Sequence, residues 1–256
     1  MDAPGDWAEL ASQALAETFL AFGNTMEQGW FRREGGVLAG VSGASLPTLN
    51  GVWVVGDELD PSLIDHLLDV IAAEGVPYCL QVRPVAGELQ SVAERRGMVR
   101  LGELPLMVLD ELSASRALGQ VSDVSWLRVS PDQVEQYVEA LARGFEAPVA
   151  AMAAFVTRRT LALAQLDCFL GLVSGEAVTT ALAFTNGEAT GIYNVATLAE
   201  HRGRGYGLAA TAQCLSAASQ RGARWAYLQS SEMGFSVYQR LGFRTVEQWH
   251  LWVSPT

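Results

Sequence analysis

The stretch Arg202-Gly203-Arg204-Gly205-Tyr206-Gly207-Leu208 combines cationic side chains with closely spaced glycines, a composition suited to holding an anion. A β-rich run, Ala189 to Leu198, leads into it. A helix is expected after it, from about Leu208 to Arg221, with Gly222 as a C′ stop. The first N–H groups of a helix have no partner inside the helix, and the helix dipole favours negative charge there. Gly205 and Gly207 carry no Cβ, so a phosphate oxygen can come close to the main chain. Arg202 and Arg204 add positive charge.

The kind of phosphate is narrowed by what surrounds the loop. A Walker loop ends in Gly-Lys-Ser/Thr, which is not found here. A dinucleotide fingerprint, Gly-x-Gly-x-x-Gly/Ala, fails when read from Gly203, where Leu208 takes the third position. It passes when read from Gly205, where Ala210 does, so that reading stays open. The same residues also spell Arg202-x-x-Gly205-x-Gly207. Downstream, after another strand, comes Tyr238-Gln239-Arg240-Leu241-Gly242-Phe243. The two motifs, in this order and with strand and helix between them, resemble the acyl-CoA loop and the Tyr-x-x-Leu-Gly-Phe segment of the GNAT superfamily of N-acetyltransferases. The resemblance covers about Ser122 to Val253.

The resemblance implies specific roles. Arg202 through Leu208 (Arg202, Gly203, Arg204, Gly205, Tyr206, Gly207, Leu208) would form the loop that takes the CoA pyrophosphate, chiefly on its backbone N–H groups. Val195, Ala196 and Thr197 would offer main-chain groups to the pantetheine arm and the thioester carbonyl, on a strand that splays from its neighbour. Taken alone, those three residues read equally as a core strand. Ser231 stands where several relatives carry a cofactor-contacting asparagine. Tyr238 would be the general acid: a phenol of pKa about 10 stays protonated at neutral pH and can give its proton to a departing thiolate. Without this context, a helical tyrosine reads as core.

The general base is not legible. Some relatives place a glutamate where this chain has Ala226. Glu146, in the loop that the family hangs over the acceptor, is a possible substitute but reads first as a solvated surface carboxylate; a water chain is the other route. Glu200, His201 and His250 are expected to lie outside the chemistry.

The elements that must position these residues fall into two halves. In the first, a helix is expected over Asp6–Phe22, strands around Trp30–Arg33, Gly36–Val41 and Val52–Val55, and a helix from Pro61 to about Glu74 capped by Asp60 and stopped by Gly75. A strand at Tyr78–Val82, a helix at Gly87–Arg96 and a strand at Met98–Leu109, bulged or edge-lying at Pro105, follow. In the second half, Val124–Val129 is a strand and Ser130-Pro131-Asp132-Gln133 a capping box. Helices are expected from there to Gly144 and over Pro148–Leu163. Hairpin signals at Ser174-Gly175 and Asn186-Gly187 flank the strand Ala177–Phe184. Gly75, Leu80-Gln81 and Gly97-Met98 recur at a nearly constant separation as Gly222, Leu228-Gln229 and Gly242-Phe243. That repeat implies a first copy of the same fold, with Asp60 about where Gly207 stands and Ala93 in place of Tyr238: a copy without a CoA site. Asp110–Val121 is the expected linker.

Composition sets the class. At 256 residues and 50% hydrophobic, the chain can fill two cores, and no apolar run reaches the ~18 residues of a membrane span. The N-terminus lacks the features of a secretory signal, so a cytoplasmic location is expected. The three cysteines, Cys79, Cys168 and Cys214, show no metal-ligand spacing and read as buried thiols. A net charge of −11 disfavours nucleic-acid binding; it is compatible with a cationic amine and equally with solubility alone. The expected architecture is α/β (α+β), two tandem GNAT-like domains, each a mixed, mostly antiparallel sheet flanked by helices, at 1–115 and 122–256. The expected activity is transfer of an acetyl group from acetyl-CoA to a primary amine of a small molecule or peptide, with no metal, no nucleic-acid or membrane partner, and a monomer or homodimer as the assembly. The alternatives are a CoA-binding sensor or interaction module without turnover, and an acyltransferase using a longer acyl-CoA.

Overall fold

The computed structural model describes residues 7–27, 29–57, 60–84, 89–112 and 121–255. In chain order the elements are α1 (Trp7–Gly23), β1 (Trp30–Glu34), β2 (Val37–Val41), β3 (Asn50–Val54), α2 (Pro61–Ala72), β4 (Cys79–Val82), α3 (Gln90–Arg95), β5 (Val99–Leu109), β6 (Ser125–Arg128), α4 (Val134–Phe145), α5 (Val149–Phe155), α6 (Arg158–Leu161), β7 (Leu166–Val173), β8 (Glu176–Asn186), β9 (Ala189–Thr197), α7 (Tyr206–Gln220), β10 (Trp225–Gln229), α8 (Glu232–Arg240) and β11 (Arg244–Val253). They form two compact units: Met1–Leu106 with Thr245–Thr256, and Met107–Arg244. The expected linker falls mostly outside the described residues, as do the first residues expected of α1 and α3.

In the first unit, β1, β2 and β3 are antiparallel neighbours and β4 joins β3 in parallel. The last strand of the chain completes this sheet: His250 to Val253 of β11 pair antiparallel with Val82 to Cys79 of β4. Ile64, Leu67, Leu68 and Ile71 of α2 recur at helical spacing and pack with Val92 and Ala93 of α3 on Val52, Val54, Leu80 and Val82, all buried. Asp60 caps α2, its carboxylate accepting from Ser62 N at 2.9 Å. Arg83, just past β4, is only 2% exposed. Its guanidinium pairs with Glu9, with Asp57 at 2.9 Å and with Glu247 at 2.9 Å, and donates to the Val55 carbonyl at 3.1 Å.

The second unit repeats the order of three antiparallel strands, a helix, a parallel strand and a helix. β6, β7, β8 and β9 are antiparallel neighbours, and β10 joins β9 in parallel. Alternation sends Phe169, Ala181, Ala183, Ile192, Ala226 and Leu228 to one face, where they pack with α7 and α8. Two turns set the hairpins: Ser174 and Gly175 both take positive φ, and Gly187 does so after β8. The single helix expected over Pro148–Leu163 is instead two. Val156 is extended and Thr157 caps a new turn, accepting from Thr160 N at 3.0 Å, so the chain bends where one helix would have continued. β5 runs unbroken through Pro105.

Candidate active site

The site begins where two strands part. β10 pairs with β9 at Trp225↔Ala189, Ala226↔Thr190 and Tyr227↔Gly191, and the pairing ends there although β9 continues to Thr197. On its other edge, β9 stays bound to β8 through a bulge. Between the pairs Leu182↔Tyr193 and Thr180↔Ala196, Ala181 alone opposes Asn194 and Val195, and Asn194 takes φ 54°. Side chains repair the interrupted ladder. The Thr180 hydroxyl donates to the Asn194 carbonyl at 2.6 Å, the Thr179 hydroxyl to the Ala196 carbonyl at 2.8 Å, and Leu198 N to the Val178 carbonyl at 2.9 Å. With Asn194, Ala196 and Leu198 turned toward β8, alternation leaves the main-chain groups of Val195 and Thr197 facing the gap. Arg202 occupies the Thr197 carbonyl from Nε at 3.1 Å. Val195 keeps its main-chain groups on that edge.

The gap leads to the start of α7. Gly205 is the N-cap, with φ 86°, and no side chain caps the helix. A Cβ at Gly203 would meet nothing within 4 Å, and one at Gly207 would lie 3.7 Å from Thr197 Oγ1 and 3.9 Å from Val195 Cγ1. The first N–H groups of a 15-residue helix therefore emerge beside the edge of β9, in a cradle kept open by glycine. The Tyr206 hydroxyl donates to Asp123 at 2.7 Å, a hydrogen bond that also raises its pKa. Leu208 is buried in the core.

Arg202 is committed elsewhere. Besides Thr197 it donates to the Gly144 carbonyl at 3.0 Å and pairs with Glu146 at 3.6 Å, so it ties the loop to the end of α4. Gly144 makes that approach possible, since a Cβ there would fall 2.8 Å from Ala196 Cβ. Arg204 is exposed. Glu146 is the left-handed C-cap of α4, 64% exposed and paired with Arg202. Glu200 pairs with Arg143. His250 lies on β11 in the first unit, beside Arg100 and Glu103.

Tyr238 is 8% exposed and sits in the cluster that contains Ile192, Ala226 and Leu228, the residues flanking the point where the strands part. Its ring lies against Phe243 in a T-shaped contact and over Gly234, where a Cβ would fall 2.9 Å from it. Burial pushes the phenol up to about 12, so it holds its proton at neutral pH. Ser231 is the N-cap of α8, accepting from Gly234 N at 3.2 Å, and so fixes the helix that carries Tyr238. Ala226 is fully buried and brings no carboxylate.

Three residues at the gap were not singled out from sequence. Asn194 forms the bulge, and the hydroxyls of Tyr193 and Tyr227 lie 3.2 Å apart over Gly191. Their signal in the sequence is slight: polar and aromatic residues at the end of a β-rich run. Burial pushes the Cys168 and Cys214 thiols up, which makes them poor nucleophiles. Among the described residues no cluster suited to a metal occurs, and no helix is long and apolar enough to cross a membrane.

Residues 127–246 match the family model described as Acetyltransferase (GNAT) domain. No functionally curated protein matches the sequence. Solved structures with a similar fold include a GCN5-related N-acetyltransferase from Kribbella flavida, at 21% identity and a TM-score of 0.72, covering 99% of this chain and 97% of that one. A GCN5-related N-acetyltransferase from Sphaerobacter thermophilus aligns at 18% identity and 0.62, covering 85% and 76%. A tandem GNAT protein from the clavulanic acid biosynthesis pathway aligns at 14% and 0.61, covering 98% and 95%. At these identities the structural likeness speaks for the fold, and the family match speaks for the domain: across residues 127–246 the chain carries an acetyltransferase domain of the GNAT family.

Proposed function

We propose that the second unit transfers an acetyl group from acetyl-CoA to the primary amine of a small molecule or peptide. The observation that carries this reading is the parting of β9 from β10 beyond Gly191 and Tyr227, directly upstream of a helix start that no side chain caps. The residues fit the cofactor. Unpaired N–H groups from Gly205 to Leu208 suit a pyrophosphate, and the main-chain groups of Val195 suit the amides of a pantetheine arm. Arg204 adds charge at the rim, while Arg202 acts by shaping the loop. When bound, acetyl-CoA supplies the activated thioester. Tyr238 holds a proton at Oη, in a buried setting, for the thiolate that leaves. The amine reaches the gap neutral by losing its proton to water, since position 226 brings no carboxylate.

The first unit is read as lacking a CoA site. Asp60 takes up the start of α2, and β3 stays paired with β4 from Gly51↔Cys79 to Val54↔Val82.

Two measurements on the full chain test the proposal: calorimetry with acetyl-CoA, and thiol release across a panel of primary amines. One CoA bound per chain and amine-dependent thiol release are expected. Binding without release on any amine would replace transfer by a CoA-binding module. Release only with longer acyl donors would replace the acetyl group.

A further inference from the structure

The bulge in β9 has β8 beside it and α4 over one face. On the β8 side, the Thr180 hydroxyl holds the Asn194 carbonyl at 2.6 Å. On the α4 side stands Tyr137, which is fully buried. Tyr137 Oη and Asn194 Nδ2 are both shut off from solvent, and among the described residues neither has a hydrogen-bond partner. Burial pushes the Tyr137 phenol well up, and the Cys168 thiol and the Asn194 carboxamide beside it act on it as well. The carboxamide thus stands next to the phenol without hydrogen-bond geometry between them. A buried donor and a buried acceptor left apart are costly, and together they suit one water.

A second link between the same elements fits this placement. Arg202 donates to the Gly144 carbonyl of α4 and to the Thr197 carbonyl of β9. From Tyr137 to Gly144 the helix rises about 10 Å, and from Asn194 to Thr197 the strand advances about 10 Å. Helix and strand therefore keep step, with Tyr137 level with Asn194 as Gly144 is with Thr197. Fixing the bulge matters because a slip of one residue inverts alternation. The main-chain groups of Val195 would then turn from the gap to β8. Asn194, at φ 54°, takes the left-handed turn that prevents this, a conformation asparagine adopts more readily than most residues. Its carbonyl is held by Thr180, so its side chain is the remaining handle.

We infer that Tyr137 and Asn194, bridged by one buried water, are positioning residues that pin the β9 bulge to α4 and keep the Val195 edge turned to the gap. The water accepts from Asn194 Nδ2–H and donates to Tyr137 Oη, whose own O–H turns to Cys168 Sγ. The tie stands by itself; its consequence for acetyl-CoA rests on the acetyl-transfer reading.

The experiment uses the full chain. A crystal structure should show one water within hydrogen-bond distance of both atoms; a dry contact would overturn the bridge. Hydrogen–deuterium exchange then follows the segment Tyr193 to Thr197. Tyr137→Phe is expected to speed its exchange about tenfold and to leave Leu208 to Ala218 of α7 as in the parent, so the loosening is local. In an Asn194→Gly background, which keeps the left-handed turn and removes the carboxamide, Tyr137→Phe should add nothing, because the tie is already gone. If Asn194→Gly does not fold, Asn194→Asp takes its place. Calorimetry should show acetyl-CoA bound about fivefold more weakly by Tyr137→Phe in the parent background alone. Unchanged exchange in Tyr137→Phe, or the same acceleration in both backgrounds, would overturn the tie. If the parent binds no acetyl-CoA, the transfer reading falls and the exchange data still decide the tie. If the tie holds and acetyl-CoA affinity does not move, the Val195 edge is not what the tie positions, and the inference fails there.

Discussion

The segments β3–α2–β4 and β9–α7–β10 have the same order and the same parallel pairing, and they treat their main-chain groups in opposite ways. In the first, the strands are paired from Gly51↔Cys79 to Val54↔Val82, and beyond the last pair Arg83 reaches across to the Val55 carbonyl. The helix between them starts on Asp60, whose carboxylate takes Ser62 N. In the second, pairing stops at Gly191↔Tyr227, and the helix starts on Gly205 with no side-chain cap. The helices that follow differ too: α3 buries Ala93, and α8 buries Tyr238. A binding site in this frame is made by leaving backbone donors and acceptors unsatisfied at one opening. In the first segment the protein's own side chains meet those groups: Asp60 takes Ser62 N and Arg83 takes the Val55 carbonyl.

The largest expected effect separates α8 from α3. Tyr238→Phe should lower kcat by about 10²- to 10⁴-fold with CoA affinity nearly unchanged, since in the proposed reaction the phenol would act on a charge that appears only as the bond breaks. The folded pKa of about 12 lies above the ordinary 10.0, so this group favours the fold below pH 10 and that contribution is lost as pH rises through 12. The kcat profile of the parent enzyme should therefore show no alkaline fall from Tyr238 below about pH 10. An unchanged kcat in the variant, with chemistry limiting, would remove Tyr238 from the mechanism.

Next comes the pin on the first opening. Arg83→Met should destabilise the protein by about 3 kcal/mol, because Glu247, 9% exposed, would be left buried without its partner. Denaturant unfolding measures this, and acetyl-CoA affinity should stay as it was. A loss of only a few tenths of a kcal/mol would mean that the strands need no such pin. At the second opening, Gly205→Asp should weaken acetyl-CoA about a hundredfold. It puts a carboxylate where the helix start would meet the pyrophosphate in the proposed complex, and a residue other than glycine at φ 86° is strained as well. Retained affinity would move the phosphate site off this turn.

Much of this contrast is legible in the sequence. Glycines, arginines and the Tyr238 segment marked the second opening, and Asp60-Pro61 marked the capped helix, because turn and cap chemistry is local. Position mattered more finely than spacing could give: the helix starts match Asp60 with Gly205, not with Gly207. Other features depend on long-range partners. Arg202 looked like a phosphate ligand, yet its guanidinium spans Thr197, Gly144 and Glu146, and nothing local announces those carbonyls. The Asn194 bulge, the Tyr193–Tyr227 contact and the joining of β11 to β4 are likewise products of register and topology. The break at Thr157 is not legible, because a threonine at the end of the apolar stretch Val149 to Val156 reads as helix until its capping of Thr160 N is known.

The smallest effect tests the proposal that the first unit takes no CoA. Asp60→Ala removes the cap of α2, and such losses cost about 1 kcal/mol. The freed N–H groups would then resemble those at the start of α7. Two features still oppose a ligand: β3 and β4 remain paired to their ends, and Arg83 with its carboxylates still holds Val55. Calorimetry on Asp60→Ala should thus show slightly lower stability on unfolding and one acetyl-CoA per chain, as in the parent. Two per chain in the variant alone would mean that the cap by itself closes the first opening, and the strand pairing would lose its place in the comparison. Two per chain already in the parent would mean that the first opening is a working site, and the contrast between the units would have to be sought in the acceptor side.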